Sequence, residues 1–176
     1  MDWYRICKYD PAFRDESGAY QRDEWTSVSD IGRSFGGVTL DASTYLATET
    51  AYVRAMREFM ADADVTSLRV AALEPPPDLD PLVEYELPDA EALARLAREI
   101  REGMELSGVA LDQACRLNLR EVLWCRLEQR GRLVVKTGYD YYMHIGTTAG
   151  AEQAIAKVRE LGLFVHDAPD LAPRSE

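Results

Sequence analysis

Histidine is scarce in this chain: among 176 residues there are two, His144 and His166. A zinc centre or a histidine-based triad needs ligands or partners at spacings that neither histidine has. The phosphate-binding and hydrolytic signatures are missing too. Gly32-Arg-Ser-Phe-Gly-Gly37 has neither the length nor the lysine of a Walker A loop. No GxGxxG follows a strand, and no GxSxG elbow or HExxH helix occurs. The three cysteines, Cys7, Cys115 and Cys125, are odd in number, widely spaced and set among apolar residues. They read as buried free thiols in a reducing compartment. No apolar run approaches the roughly 20 residues of a membrane span. Met1 to Cys7 lacks the basic-then-apolar layout of an export signal, so a cytoplasmic protein is expected. No metal and no cofactor are expected, although abundant Asp and Glu leave a carboxylate-only magnesium site open.

Positive charge is also in short supply, with 20 Lys and Arg against 31 Asp and Glu, a net charge of −11. The imbalance is local. Residues 62 to 91 hold nine acids and one base, Arg69, a net of −8, which leaves −3 for the rest. Such a field repels nucleic acid and anionic membrane and attracts a basic protein. A solvated loop that aids solubility is the plainer reading. Five of the eight prolines fall between Pro75 and Pro88, which marks an extended acidic loop at 74–88.

The length fits one domain. Tyr4 to Tyr9 alternates and reads as a strand ended by Asp10-Pro11. Asp41 or Thr39 caps a long helix whose apolar stripe runs through Tyr45, Tyr52, Val53, Met56, Phe59 and Met60. Ser67 to Leu73 reads as a strand, and Asp89 caps a second helix with Leu93, Leu96, Ala97 and Ile100 on its apolar face. From Leu117 to Leu127 the alternation predicts a strand, in competition with a helix through Leu111, Ala114, Cys115, Asn118 and Val122. Arg132 to Thr137 and Tyr141 to Gly146 follow as strands. Thr147 or Thr148 then caps a helix that Gly162 ends. Leu163 to His166 is the last strand, and 167–176 reads as a flexible tail. These elements predict a single α+β domain over 1–166. It has a mostly antiparallel sheet of about five strands, with two or three helices packed on one face.

Three constellations carry candidate chemistry. On a strand, Tyr141, Met143 and Ile145 share one face, and Asp140, Tyr142 and His144 the other. The second set, with Tyr139, reads as an acid–base or ligand-binding face, or more plainly as half-buried aromatics with polar rims. Glu49 falls inside an apolar stripe, so an arginine or tyrosine hydroxyl is expected to pair it; a catalytic acid is the sharper alternative. Asp23, Glu24, Thr26, Ser27, Ser29 and Asp30 place hydroxyls beside acids, which favours loop stapling over a metal or a nucleophile.

Trp3-Tyr-Arg-Ile-Cys-Lys-Tyr-Asp-Pro-Ala-Phe-Arg-Asp15, Glu24 to Gly32, and Leu123-Trp-Cys through Gly138-Tyr-Asp-Tyr-Tyr-Met-His-Ile-Gly146 together resemble a group of small bacterial proteins with no assigned activity. The resemblance therefore transfers no functional residue. In size and charge the chain is also similar to small acidic immunity proteins, which block a toxin by covering it. The expectation is a non-enzymatic acidic binding protein that engages a basic protein partner through Asp78, Asp80, Glu84, Tyr85 and Glu86 or through Tyr139, Asp140, Tyr142 and His144. The alternatives are a small-molecule enzyme or sensor with a pocket near 139–145, and a structural subunit.

Overall fold

Strand β1 (Asp2–Cys7) sorts its side chains by the period of two: Ile6 joins the hydrophobic core, while Arg5 on the other face stays half-exposed. The computed structural model describes residues 1–74, 85 and 87–171. Along the chain follow a small hairpin, β2 (Ser34–Phe35) and β3 (Val38–Thr39), then helix α1 (Ala42–Asp62) and β4 (Ser67–Glu74). Next come α2 (Ala90–Glu99), β5 (Glu105–Ser107), α3 (Gly108–Leu119), β6 (Trp124–Gln129) and β7 (Leu133–Thr137). The series closes with β8 (Met143–Thr147), α4 (Glu152–Glu160) and β9 (Phe164–Asp167).

Seven strands form one antiparallel sheet in the order β5-β4-β6-β7-β8-β1-β9. The α+β class is as expected, but the sheet has seven strands rather than about five, and the described residues hold four α-helices. β5 escaped the sequence because its three residues bury one apolar side chain, Leu106, too little to make an alternation. One face of the sheet, with Ile6, Leu68, Val70, Leu127, Leu133, Val135, Met143 and Ile145, shares a single core with the four helices. The other face carries no α-helix among the described residues; the 3-10 turn Pro169–Leu171 touches it at β1, where Asp170 approaches Arg5.

Several local expectations are corrected. The chain from Leu117 does not begin as a strand: α3 runs to Leu119, and β6 starts at Trp124. Asn118 decides the junction, since its amide donates to the Ala114 carbonyl and accepts from the Cys125 amide, 2.8 Å away. Asp89 stands at the N-terminus of α2 but makes no capping bond there; its carboxylate turns to Arg120 instead. Neither Thr147 nor Thr148 caps α4, whose N-cap is Ala151. The Asp62 carboxylate at the end of α1 accepts from the Ala154 amide at 2.8 Å and takes over that task. Order extends beyond His166: Asp167 pairs with Tyr4, and Pro169–Leu171 forms a 3-10 turn. The three cysteines are buried and free, and Asp41 caps α1 through the Thr44 amide.

Glu49 has the partners its setting demands. It is fully buried, and Arg120, only 1% exposed, grips it with Nε at 2.6 Å and Nη2 at 2.9 Å. Arg116 donates a further bond, and the Tyr45 hydroxyl lies 3.3 Å away. Arg120 also reaches Asp89 at 2.9 Å, so α1, α3 and the start of α2 meet at one charge cluster. Burial alone disfavours the Arg120 cation, but the Glu49 bonds and charge outweigh it and raise its pKa. Removing one partner strands the other in the core. Glu49→Ala and Arg120→Met are each expected to lose about 3–5 kcal/mol in urea unfolding, and Glu49→Leu with Arg120→Met to lose much less than the two losses added. A second test lies on the opposite face, where the Trp3 ring covers Gly146 so closely that a Cβ there would meet it at 2.7 Å. Gly146→Ala is expected to cost about 1–3 kcal/mol in the same measurement.

Candidate functional site

The turn between β7 and β8 bends through two consecutive left-handed residues, Asp140 (φ 56°) and Tyr141 (φ 60°). Asp commonly tolerates this region and tyrosine seldom does. Tyr141 is held there by its ring, which meets Trp25, Tyr52 and Tyr45 at centroid distances of 4.9, 5.1 and 5.9 Å. Each such pair contributes about 0.5–1.5 kcal/mol beyond its buried area. The Tyr52 hydroxyl donates to the Tyr141 carbonyl, and the Tyr9 hydroxyl to that of Asp140, both at 2.7 Å. The turn is thus fastened to both α1 and the segment after β1.

This turn corrects the expected strand at 141–146. β8 begins at Met143, and Asp140 belongs to the turn, exposed, rather than to the face of Tyr142 and His144. Those two do share the helix-free face. Their rings stack with centroids 6.4 Å apart, and the Tyr142 hydroxyl accepts a bond from Arg14. Tyr139 is 78% exposed, with its ring 5.4 Å from that of Trp124. Asp78, Asp80, Glu84 and Glu86 lie outside the described residues. Tyr85 is half-buried and packs against the core.

The sheet separates Glu49 from His144: the carboxylate lies on the helix side, sealed by Arg120, and the imidazole on the other. They do not converge on one cavity. A concavity of about 460 Å³ opens elsewhere, between the β2–β3 hairpin and the 22–25 loop, lined by Arg22, Glu24, Phe35, Val38 and Leu40. The acids and hydroxyls of 23–30 staple that loop. Asp30 accepts from the Thr26 and Ser27 amides, and Ser27 caps the turn Val28–Asp30. Lys8 is enclosed between the Tyr9 and Trp25 rings, 4.3 Å from each centroid, and pairs with Glu24 at 3.0 Å. Among the described residues no group of three or more His, Cys, Asp and Glu converges on a metal position. No helix among them is long and apolar enough to cross a membrane.

What the sequence reading missed is a line of cationic and imidazole side chains across the helix-free face. Lys136 pairs with His144, His144 with Arg5, and Arg5 with His166. The register of Leu127 with Val135 brings Arg126 to the same line beside Lys136. Five adjacent strands therefore carry a nitrogen-bearing side chain at matched positions. Burial, then the Arg5 and Lys136 charges, push the His144 pKa down to about 4. Burial, Arg14 and Arg5 lower that of His166. The only local signal was the alternation in each strand, which gives a face but not its neighbours.

Compared with family models, with curated proteins and with solved structures, the chain matches none.

A folded-state pKa below the unfolded one makes His144 resist protonation that the unfolded chain accepts. Its contribution to stability is constant above about pH 7 and declines as pH falls from 6.5 towards 4, by at most about 1.4 kcal/mol per pH unit. Compared with His144→Gln, the native chain is expected to lose more stability between about pH 7 and pH 5 in urea unfolding. Parallel losses in the two proteins would contradict this assignment.

Proposed function

We propose that the protein is a binding protein that covers a macromolecular partner with the helix-free face of its sheet. The observation that carries this reading is the line Arg126, Lys136, His144, Arg5 and His166, flanked by the exposed ring of Tyr139. A sheet face without α-helices among the described residues gives contact area, and an exposed tyrosine on Trp124 is the kind of rigid aromatic that anchors interfaces. The three buried free thiols fit a reducing cytoplasm.

A second reading is favoured by the −8 charge of residues 62–91: an immunity-like contact with a basic protein. Part of that charge is already engaged, since Asp62 caps α4 and Asp89 pairs with Arg120, while Asp64, Glu74 and Glu91 remain exposed. Binding through this segment weakens with salt and on neutralising Asp78, Asp80, Glu84 and Glu86 together.

The test of the first reading is capture by the immobilised chain from a bacterial lysate, followed by crosslink mapping. Capture is expected to fall at least about tenfold with Tyr139→Ala or Lys136→Glu, and to persist with Arg54→Glu on the exposed side of α1. Equal capture by all variants, or none by the native chain, would end this reading.

A further inference from the structure

We infer that the helix-free face takes an acidic polypeptide segment, laid across the strands along Arg126, Lys136, His144, Arg5 and His166. This rests on that face being the binding surface, and it names the chemistry of the partner.

The dimensions come from the sheet. Adjacent strands lie about 4.8 Å apart, so five strands make a track of about 19 Å. An extended peptide rises about 3.3 Å per residue, so about six residues span it, with three side chains directed at the track. Carboxylates at alternate positions are then spaced about 6.6 Å apart, within reach of long, mobile cationic side chains.

The track is short of negative charge. The Lys136 ammonium lies over the Trp3 ring, 4.9 Å from its centroid, and makes no ion pair among the described residues. Arg5 approaches one carboxylate, that of the exposed Asp170, at 3.7 Å, and donates to His144 Nε2 at 3.4 Å. Arg126 pairs with Glu128 at 2.8 Å, yet the same carboxylate is shared with Arg69 at 2.7 Å and with Arg130 at 3.8 Å. One acid thus answers three guanidinium groups. Burial is the main cause of the lowered basicity of both histidines, and the neighbouring Arg5, Lys136 and Arg14 charges add to it, in a chain whose total charge is −11.

That total charge also decides between anionic partners. A nucleic acid strand long enough to bind well extends past the track into the field of an acidic protein, which repels its phosphates. Binding of single strands relies further on successive exposed rings on which bases stack. Here Tyr139 is exposed, but Trp3 is 7% exposed, and Tyr142 is already flanked by Tyr9, His144 and the Arg5 guanidinium. A short acidic segment occupies the positive strip alone.

Such a segment changes the surroundings of His144. Its present neighbours are Arg5 on β1, Lys136 on β7, Tyr142 preceding β8 and Asp170 on the closing turn. A carboxylate placed between Arg5 and Lys136 answers both cations, whose charges come second to burial in lowering the His144 pKa.

The experiment is fluorescence anisotropy on the full chain with a labelled peptide of about eight residues bearing Glu at alternate positions. Its Gln counterpart and an oligothymidylate of about eight nucleotides serve as comparison probes. The Glu peptide is expected to bind and to weaken at least about tenfold between about 50 and 300 mM salt. Lys136→Glu and the milder Lys136→Gln are each expected to weaken it, the second keeping the test valid if the first unfolds the chain. The inference is overturned if Glu and Gln peptides bind alike, if the oligothymidylate binds and the Glu peptide does not, or if no probe binds at about 1 mM. Should capture from lysate still depend on Tyr139 and Lys136 in those cases, the binding face stands and only the acidic character of its partner falls.

Discussion

The Glu49–Arg120 pair is the constraint around which the helical layer is arranged. A fully buried carboxylate is tolerable only with its charge answered and its lone pairs bonded. Arg120 meets both needs with two nitrogens on Glu49 and carries the contact on to Asp89. The consequence is geometric. The middle of α1, the end of α3 and the start of α2 are fixed to within hydrogen-bond tolerance at one point. The apolar stripes of those helices then have little freedom in how they meet the sheet. Directional bonds of this kind define a relative placement that hydrophobic contact, which is non-directional, leaves loose.

The sheet divides the molecule into two chemistries. Its inward face is apolar and shared by all four helices. Its outward face brings guanidinium, ammonium and imidazole groups together in register, with indole and phenol rings between them. Trp3 shows how this face is kept ordered: its ring lies over the bare backbone of Gly146 and under the Lys136 ammonium, an arrangement that needs a glycine on the neighbouring strand. The acidic excess is concentrated elsewhere along the chain, in residues 62–91.

Much of this was legible in the sequence, wherever the signal is local. The α1 stripe, its Asp41 cap, the loop stapled by Asp30, and the need of Glu49 for a cationic or phenolic partner all follow from spacing and from the cost of burial. The identity of that partner does not, because Arg120 lies 71 residues away and one arginine looks like another in the sequence. The cationic line was hidden for the same reason. Alternation places Arg5 opposite Ile6 across the strand, but nothing near residue 5 announces that 144 and 166 will flank it. The left-handed Tyr141 was equally unreadable. Its conformation costs energy locally and is stabilised by three rings and a hydrogen bond that tertiary structure supplies.

The position of β1 has a consequence for how the chain reaches this structure. The strand nearest the N-terminus sits between β8 and β9, so its backbone groups find both partners only near the other end of the chain, about 140 residues after Asp2. At ribosomal rates of about 5–20 residues per second, β1 emerges and waits on the order of ten seconds before its neighbours exist. During that interval Trp3, Tyr4 and Ile6 form an unpaired, apolar edge of the kind that chaperones bind. The β8-β1-β9 end of the sheet is therefore completed last, and pairings of such long sequence separation are the kind that slow folding.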